Sequence, residues 1–230
     1  KKLSKRKGAI SIAEYKSLGY LPEAVCNHLL RLGWSHGDDE IITMKQAKEW
    51  FDLEHVGKSP AKFDQDKLNF INSQYIKNTA NEELFELLVE FNSKITSQKE
   101  RILKGLDGLK PRATTLVDLA ASCNIYIEKN KELDEKSVQT LASGGKELLS
   151  EFVSLLNKQQ DWNKDSLQKL GEEFMAQKSQ KPSLLMMALR AGVLGTFNAP
   201  GIYEVMEVLG SKEVLSRLGE FEERVAIAAR

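Results

Sequence analysis

The stretch LPEAVCNHLLRLG, residues 21–33, decides how this chain folds. Pro22 suits the first turn of a helix, where its missing N–H breaks no hydrogen bond. Val25, Leu29 and Leu32 then recur at spacings of three and four and share one face, and Gly33 supplies a stop. The same grammar extends in both directions. Upstream, SIAEYKSLG sets Ser11 three residues before Glu14, a capping-box spacing, and ends at Gly19. Downstream, Thr43 and Gln46 repeat the box before AKEWF, and DQDKLNFINSQYI places Leu68, Ile71 and Tyr75 on one stripe.

From about residue 80 the helices lengthen. Leu84, Leu87, Leu88 and Phe91 form one apolar face. GLKPRATTLVDLAASC breaks at Pro111 and resumes with Leu116, Leu119, Ala120 and Cys123 on one side. EKNKELDEKS, residues 128–137, has little to bury and is the best internal boundary. Beyond it, Leu148, Leu149, Phe152, Leu155 and Leu156 restore the pattern, followed by Leu167, Leu170 and Phe174. A turn at SQKP precedes the apolar SLLMMALRAGVLG. The final APGIYEVMEVLGSKEVLSRL reads as a loop and two helices split at Gly210 and Ser211. No strand pair, internal repeat or low-complexity tract interrupts this. The expected fold is all-α, a small helical module followed by a larger helical domain.

Composition narrows the function. Of 230 residues, 41% are hydrophobic and 29% charged, which suits a packed globular chain. Lys plus Arg and Asp plus Glu both number 33, so anion binding must come from local patches. The two cysteines, Cys26 and Cys123, sit within apolar helical patterns and read as packed thiols in a reducing, cytoplasmic setting. No apolar run reaches membrane-spanning length. His36, followed by Asp38, Asp39 and Glu40 in GWSHGDDE, could do acid–base work or hold a divalent cation, although such a turn is more often solvated. No nucleophile–histidine–acid set, glycine-rich phosphate cradle or metal-ligand spacing is present, and no metal is expected.

The first seven residues carry five basic side chains. KLSKRKGA resembles the lysine–serine–lysine signature of class I aminoacyl-tRNA synthetases, in the form found in glutamyl-tRNA synthetases. GYLPEAVCNHLLRLGWSHGDDEI is similar to the segment following that signature in the bacterial enzymes. SPAKFDQDKLNFINSQYI is similar to the next block, with Phe70 where tryptophan is usual. KPRATTLVDLA, and ALRAGVLG with APGIYEVMEVLG, resemble the helical anticodon-binding part. The likeness is collinear along essentially the whole chain.

The resemblance implies an ATP-dependent glutamate–tRNA ligase. Such an enzyme joins the carboxylate of glutamate to the α-phosphate of ATP, with Mg2+, then passes the acyl group to the tRNA 3′ end. The nucleotide-binding domain would precede the signature, so this part alone is expected to be inactive. The implied divisions are a signature loop (1–8), a stem-contact module (9–77) and two anticodon-binding subdomains (78–133 and 134–230). Lys2, Ser4 and Lys5 are implied to meet the ATP phosphates, and Lys7 stands where histidine or aspartate is common. Arg112 and the loop residues Ala199, Pro200 and Ile202 are implied to read the anticodon, with Ala199 in a place that threonine often takes. The expected partners are glutamate and ATP and the glutamate tRNA, with the glutamine tRNA left open as a second, on a monomer with no membrane association. A helical protein-interaction scaffold is the alternative reading, and a hydrolase built on the SHGDDE turn is a third. In the complete enzyme, Lys5→Ala is expected to slow adenylate formation strongly while sparing tRNA binding. Pyrophosphate exchange at the wild-type rate would remove Lys5 from the ATP site.

Overall fold

The computed structural model describes residues 11–58, 62–129 and 133–220. Among them are fourteen α-helices and no strand, so the fold is all-α as the periodicity predicts. The signature residues Lys2, Ser4, Lys5 and Lys7 lie outside the described residues. No helix among the described residues is long and apolar enough to cross a membrane. The chain divides into two compact units whose segments interleave. One runs to Thr96 and adds Leu109–Ser122; the other takes Ser97–Gly108 and the chain from Cys123 onward.

The first unit contains α1 (Ile12–Ser17), α2 (Pro22–Arg31), α3 (Met44–Trp50), α4 (Gln65–Asn78) and α5 (Asn81–Val89). Both capping boxes form: Ser11 with Glu14 opens α1, and Thr43 with Gln46 opens α3. Pro22 occupies the first turn of α2. Gly19 stands at φ +81°, where a side chain is strained, and a Cβ there would lie 2.7 Å from the Val117 nitrogen. Its carbonyl accepts from the Leu116 N–H at 2.8 Å, which ties the end of α1 to the start of a later helix, Leu116–Ser122.

The α2–α4 pair forms the centre of this unit, and its buried face is partly polar. Asn27 accepts from the Ile42 N–H at 2.8 Å and donates to the Glu40 carbonyl at 3.2 Å. Asn72 accepts from the Leu21 N–H at 2.9 Å and donates to the Thr114 carbonyl at 2.6 Å. These bonds turn α2 so that Ala24, Asn27 and His28 face inward while Leu29 is 42% exposed. Leu29 was expected on the inner face; apolar spacing alone places it there, and the two amides override that spacing. Cys26 is likewise exposed rather than packed, whereas Cys123 is buried and its thiol pKa is pushed up to about 12 by desolvation.

The second unit holds most of α6 (Lys99–Leu109), with α8 (Asn124–Ile127) and α9 (Glu135–Thr140); α7 is the Leu116–Ser122 helix of the first unit. It continues through α10 (Lys146–Leu156), α11 (Lys164–Gln177), α12 (Pro182–Leu189), α13 (Ile202–Leu209) and α14 (Ser211–Gly219). Phe152, Leu167, Leu185, Val205 and Leu218 fill its core. Between α9 and α10 the helix kinks at Ser143 and Gly144, the latter at φ +93°. Gly145 follows so tightly that a Cβ would lie 2.6 Å from the Thr140 carbonyl oxygen.

Arg217 of α14 is 1% exposed, bonded through Nε to Glu213 at 2.8 Å and through Nη1 to the Ile125 carbonyl at 2.9 Å. Arg101 of α6 reaches the carbonyls of Tyr126 and Leu209 at 3.1 and 3.4 Å. Buried charges of this kind need such partners.

His28 is a buried titratable group of the first unit, 3% exposed, with neither ring nitrogen hydrogen-bonded among the described residues. Burial lowers its pKa from 6.5; Asp64 opposes the shift and Lys67 adds to it. A depressed folded-state pKa means that the neutral ring is favoured in the fold. Its contribution is therefore intact above pH 6.5 and is lost as pH falls from there toward the folded-state pKa. Urea midpoints at pH 7.5 and 5.5 should drop for the wild type, and the drop should shrink in His28→Phe.

Candidate functional site

Arg112 sits in a 3-10 turn, Lys110–Arg112, at the break that Pro111 imposes. Two side chains anchor the turn. Lys110 is 7% exposed and donates from Nζ to the Thr79 carbonyl at 2.8 Å, and Asn72 holds the Thr114 carbonyl. Thr115 and Asp118 then exchange backbone and side-chain hydrogen bonds and start α7. With the backbone fixed on both sides, Arg112 is exposed and makes no hydrogen bond or ion pair among the described residues. A planar fork of donors held out on a rigid turn suits a base edge or a phosphate.

Ala199, Pro200 and Ile202 belong to the second unit, in the loop between α12 and α13. All three are buried, whereas Asn198 and Gly201 are exposed. The loop leaves the π-type turn Arg190–Leu194 through Gly195 at φ +70°. Asp134, the N-cap of α9, grips that start: its N–H donates to the Gly195 carbonyl at 3.0 Å, and its carboxylate accepts from the Phe197 N–H at 3.3 Å. Burial raises the Asp134 pKa, and hydrogen bonds from Ser137, Phe197 and Thr196 outweigh that, so it is held below its ordinary value.

Arg190 grips the other end. Its Nη1 donates to the Ala199 carbonyl at 3.0 Å and its Nη2 to the Pro200 carbonyl at 2.7 Å. One guanidinium thus satisfies two successive loop carbonyls and fixes the turn into α13. Lys136 lies over the Phe197 ring, 4.5 Å from its centroid. The inward side of the loop is therefore taken up by the protein. What faces outward is the Gly201 backbone and the Asn198 amide, which can both donate and accept.

Apolar periodicity does not mark Arg190 or Asn198, and neither was expected in the site. The signal for Arg190 was its position, a lone charge inside the apolar run SLLMMALRAGVLG. The SHGDDE turn is accounted for structurally. His36 Nδ1 pairs with Asp39 at 2.9 Å, and its ring stacks on Trp50 with centroids 4.2 Å apart. No cluster of three metal-ligating side chains occurs among the described residues.

A family model described as an anticodon binding domain matches residues 74–221. One described as the catalytic domain of class I tRNA synthetases (E and Q) matches residues 1–70. Glutamate–tRNA ligase 2 of Rickettsia bellii is 40% identical over 222 residues, covering 94% of this chain and 48% of the relative. Glutamate–tRNA ligase 2 of Wolbachia pipientis subsp. Culex pipiens is 42% identical over 219 residues, with the same coverage. The crystal structure of a glutamate tRNA ligase from Elizabethkingia meningosepticum, in complex with its amino acid, superposes with a TM-score of 0.82 at 26% identity. That match takes in 98% of this chain and 48% of the other. The chain spans about half the length of the curated relatives it matches.

Arg190→Ala should leave two loop carbonyls without a donor and destabilise the protein by about 2 kcal/mol. A urea titration checks the loss, and chymotryptic cleavage after Phe197 should accelerate. Arg190→Lys should recover only part of it, since an ammonium does not present the same flat pair of donors.

Proposed function

The chain belongs to the anticodon-binding domain family, and we propose that it is the tRNA-reading half of a glutamate–tRNA ligase. One observation carries this reading: similarity to glutamate–tRNA ligases runs collinearly along 94% of the chain. The complete ligase would activate glutamate with ATP and esterify it to tRNA. Lys2, Ser4 and Lys5 would meet the ATP phosphates in that enzyme, and the present chain alone would not charge tRNA.

The division of labour follows from how proteins read RNA. Residues 9–77 act as a stem-contact module whose phosphate contacts set orientation without reading sequence. Residues 78–133 and 134–230 act as the anticodon-binding subdomains, where unpaired bases can be met on their hydrogen-bonding edges. Arg112 presents its guanidinium to one base. The Ala199–Ile202 loop meets another through backbone groups and Asn198, because the Ala199, Pro200 and Ile202 side chains are turned into the protein. The glutamate tRNA is the partner proposed, with the glutamine tRNA as a second substrate to be tried. The setting proposed is the cytoplasm, and the chain is taken as a monomer.

A mobility-shift assay with the glutamate tRNA over a salt series tests the reading. Binding should weaken steeply as salt rises, since phosphate contacts release counterions. Absence of a shift at low salt would overturn the tRNA reading in favour of a protein-interaction scaffold. Arg112→Ala should weaken discrimination among anticodon-mutant tRNAs by about tenfold at one base, the scale of a single lost base contact. Unchanged preferences across those tRNAs would take Arg112 out of the site.

A further inference from the structure

A second concavity of the tRNA-binding unit has no role in the reading above. It is a cavity of about 380 Å³ at the α9–α10 kink, roofed from α12 and the turn before it. That volume falls within the roughly 300–1,000 Å³ usual for small-ligand sites. Its two sides differ in chemistry. Gln139, Thr140 and Gln180 offer amide and hydroxyl groups, while Leu148, Leu184 and Met187 give an apolar wall. The kink makes the hollow: with Gly144 at φ +93° the helix cannot run straight, and its backbone bends away from the space where a further turn would lie.

Lys136 joins this cavity to the loop before α13. It lines the cavity rim, and its Nζ rests on the ring of Phe197, two residues before Ala199. Phe197 is itself tied by its N–H to the cap of α9. The ammonium is thus stationed between the hollow and the loop proposed to meet the anticodon. An aliphatic wall facing hydrogen-bonding amides, with Lys136 at the mouth, fits a nucleotide: base inside, phosphate outside.

We propose that the cavity at the α9–α10 kink receives one unpaired base of the tRNA adjoining the anticodon, with Lys136 neutralising its phosphate and Phe197 positioning Lys136. The inference rests on the tRNA reading, which the chain's family membership supports. Continuity with the loop selects RNA as the occupant: a strand laid along Asn198 and Gly201 passes Lys136, the cation that lines the cavity among the described residues.

The test uses the whole chain and the anticodon stem–loop RNA of the glutamate tRNA, with an abasic residue placed at each unpaired position in turn. In the wild type, removal of one base outside the anticodon triplet should weaken binding about tenfold, the scale of a lost base contact. Leu184→Trp fills the cavity from an exposed wall position, 45% exposed in the wild type, so the fold should survive. In that variant the intact RNA should bind about as weakly as the abasic RNA binds to the wild type, and the abasic penalty should vanish. Lys136→Ala should reduce the slope of log K against log salt by about 0.7, one phosphate contact on a single strand. Phe197→Leu, which keeps apolar packing but removes the ring under the ammonium, should reproduce the Lys136→Ala slope, and Phe197→Tyr should restore it. If wild type and Leu184→Trp show the same penalty at every abasic position, the cavity holds no base, although the tRNA reading stands. If the wild type fails to bind the intact stem–loop, both fall together.

Discussion

In a protein made of short helices, every connection leaves backbone N–H and C=O groups that no sheet will pair. In both units, buried and half-buried polar side chains meet that requirement. Asn27 and Asn72 bind the segments that lead into and out of the α2–α4 pair. Lys110 takes the carbonyl at the end of α4, and Arg101 and Arg217 take carbonyls around α8 and α13. Arg190 takes two in the loop before α13. Removing any one of these exposes a second cost beyond the lost bond, because the abandoned backbone group stays buried.

The same device shapes the candidate sites. Arg112 can be presented outward because Lys110 and Asn72 hold the backbone on either side of it. The loop before α13 is held by Asp134 at Gly195 and Phe197 and by Arg190 at the carbonyls of Ala199 and Pro200. Were the loop to meet a base as proposed, bonds already made within the protein would lower the ordering cost of binding.

Helix starts were the most legible part of the sequence, because capping is local chemistry. Ser11 with Glu14, Thr43 with Gln46, and Pro22 each carry their signal within four residues. Apolar faces were legible where helices bury only hydrocarbon, as at Leu68, Ile71, Leu149 and Phe152. They failed at α2, where Asn27 is buried and Leu29 is not. Nothing local distinguishes a buried asparagine from a surface one, since its partners at Glu40 and Ile42 lie over a turn away along the chain. Arg112 and the Pro200–Gly201 turn were found through likeness to a family. Arg190 escaped because its work is done on carbonyls nine and ten residues later, a relation that periodicity does not encode.

A chain with 33 basic and 33 acidic residues has no net positive charge to draw RNA, and this sharpens what recognition must use. A uniformly basic protein gains most of its affinity from phosphates and binds many sequences alike. With the net charge cancelled, phosphate contacts have to come from local groups of cations and not from the chain as a whole. Several cations are already committed inside the fold: Arg101, Arg190 and Arg217 are spent on carbonyls, and Lys67 and Lys178 on carboxylates. Arg112 is different, because it is exposed with no hydrogen bond or ion pair among the described residues. Lys136 is different again, because its partner is a ring whose attraction for an ammonium is weaker than that of a phosphate close at hand. A cation parked on an aromatic face is held in position yet can be surrendered, the property that the phosphate contact proposed for Lys136 would require.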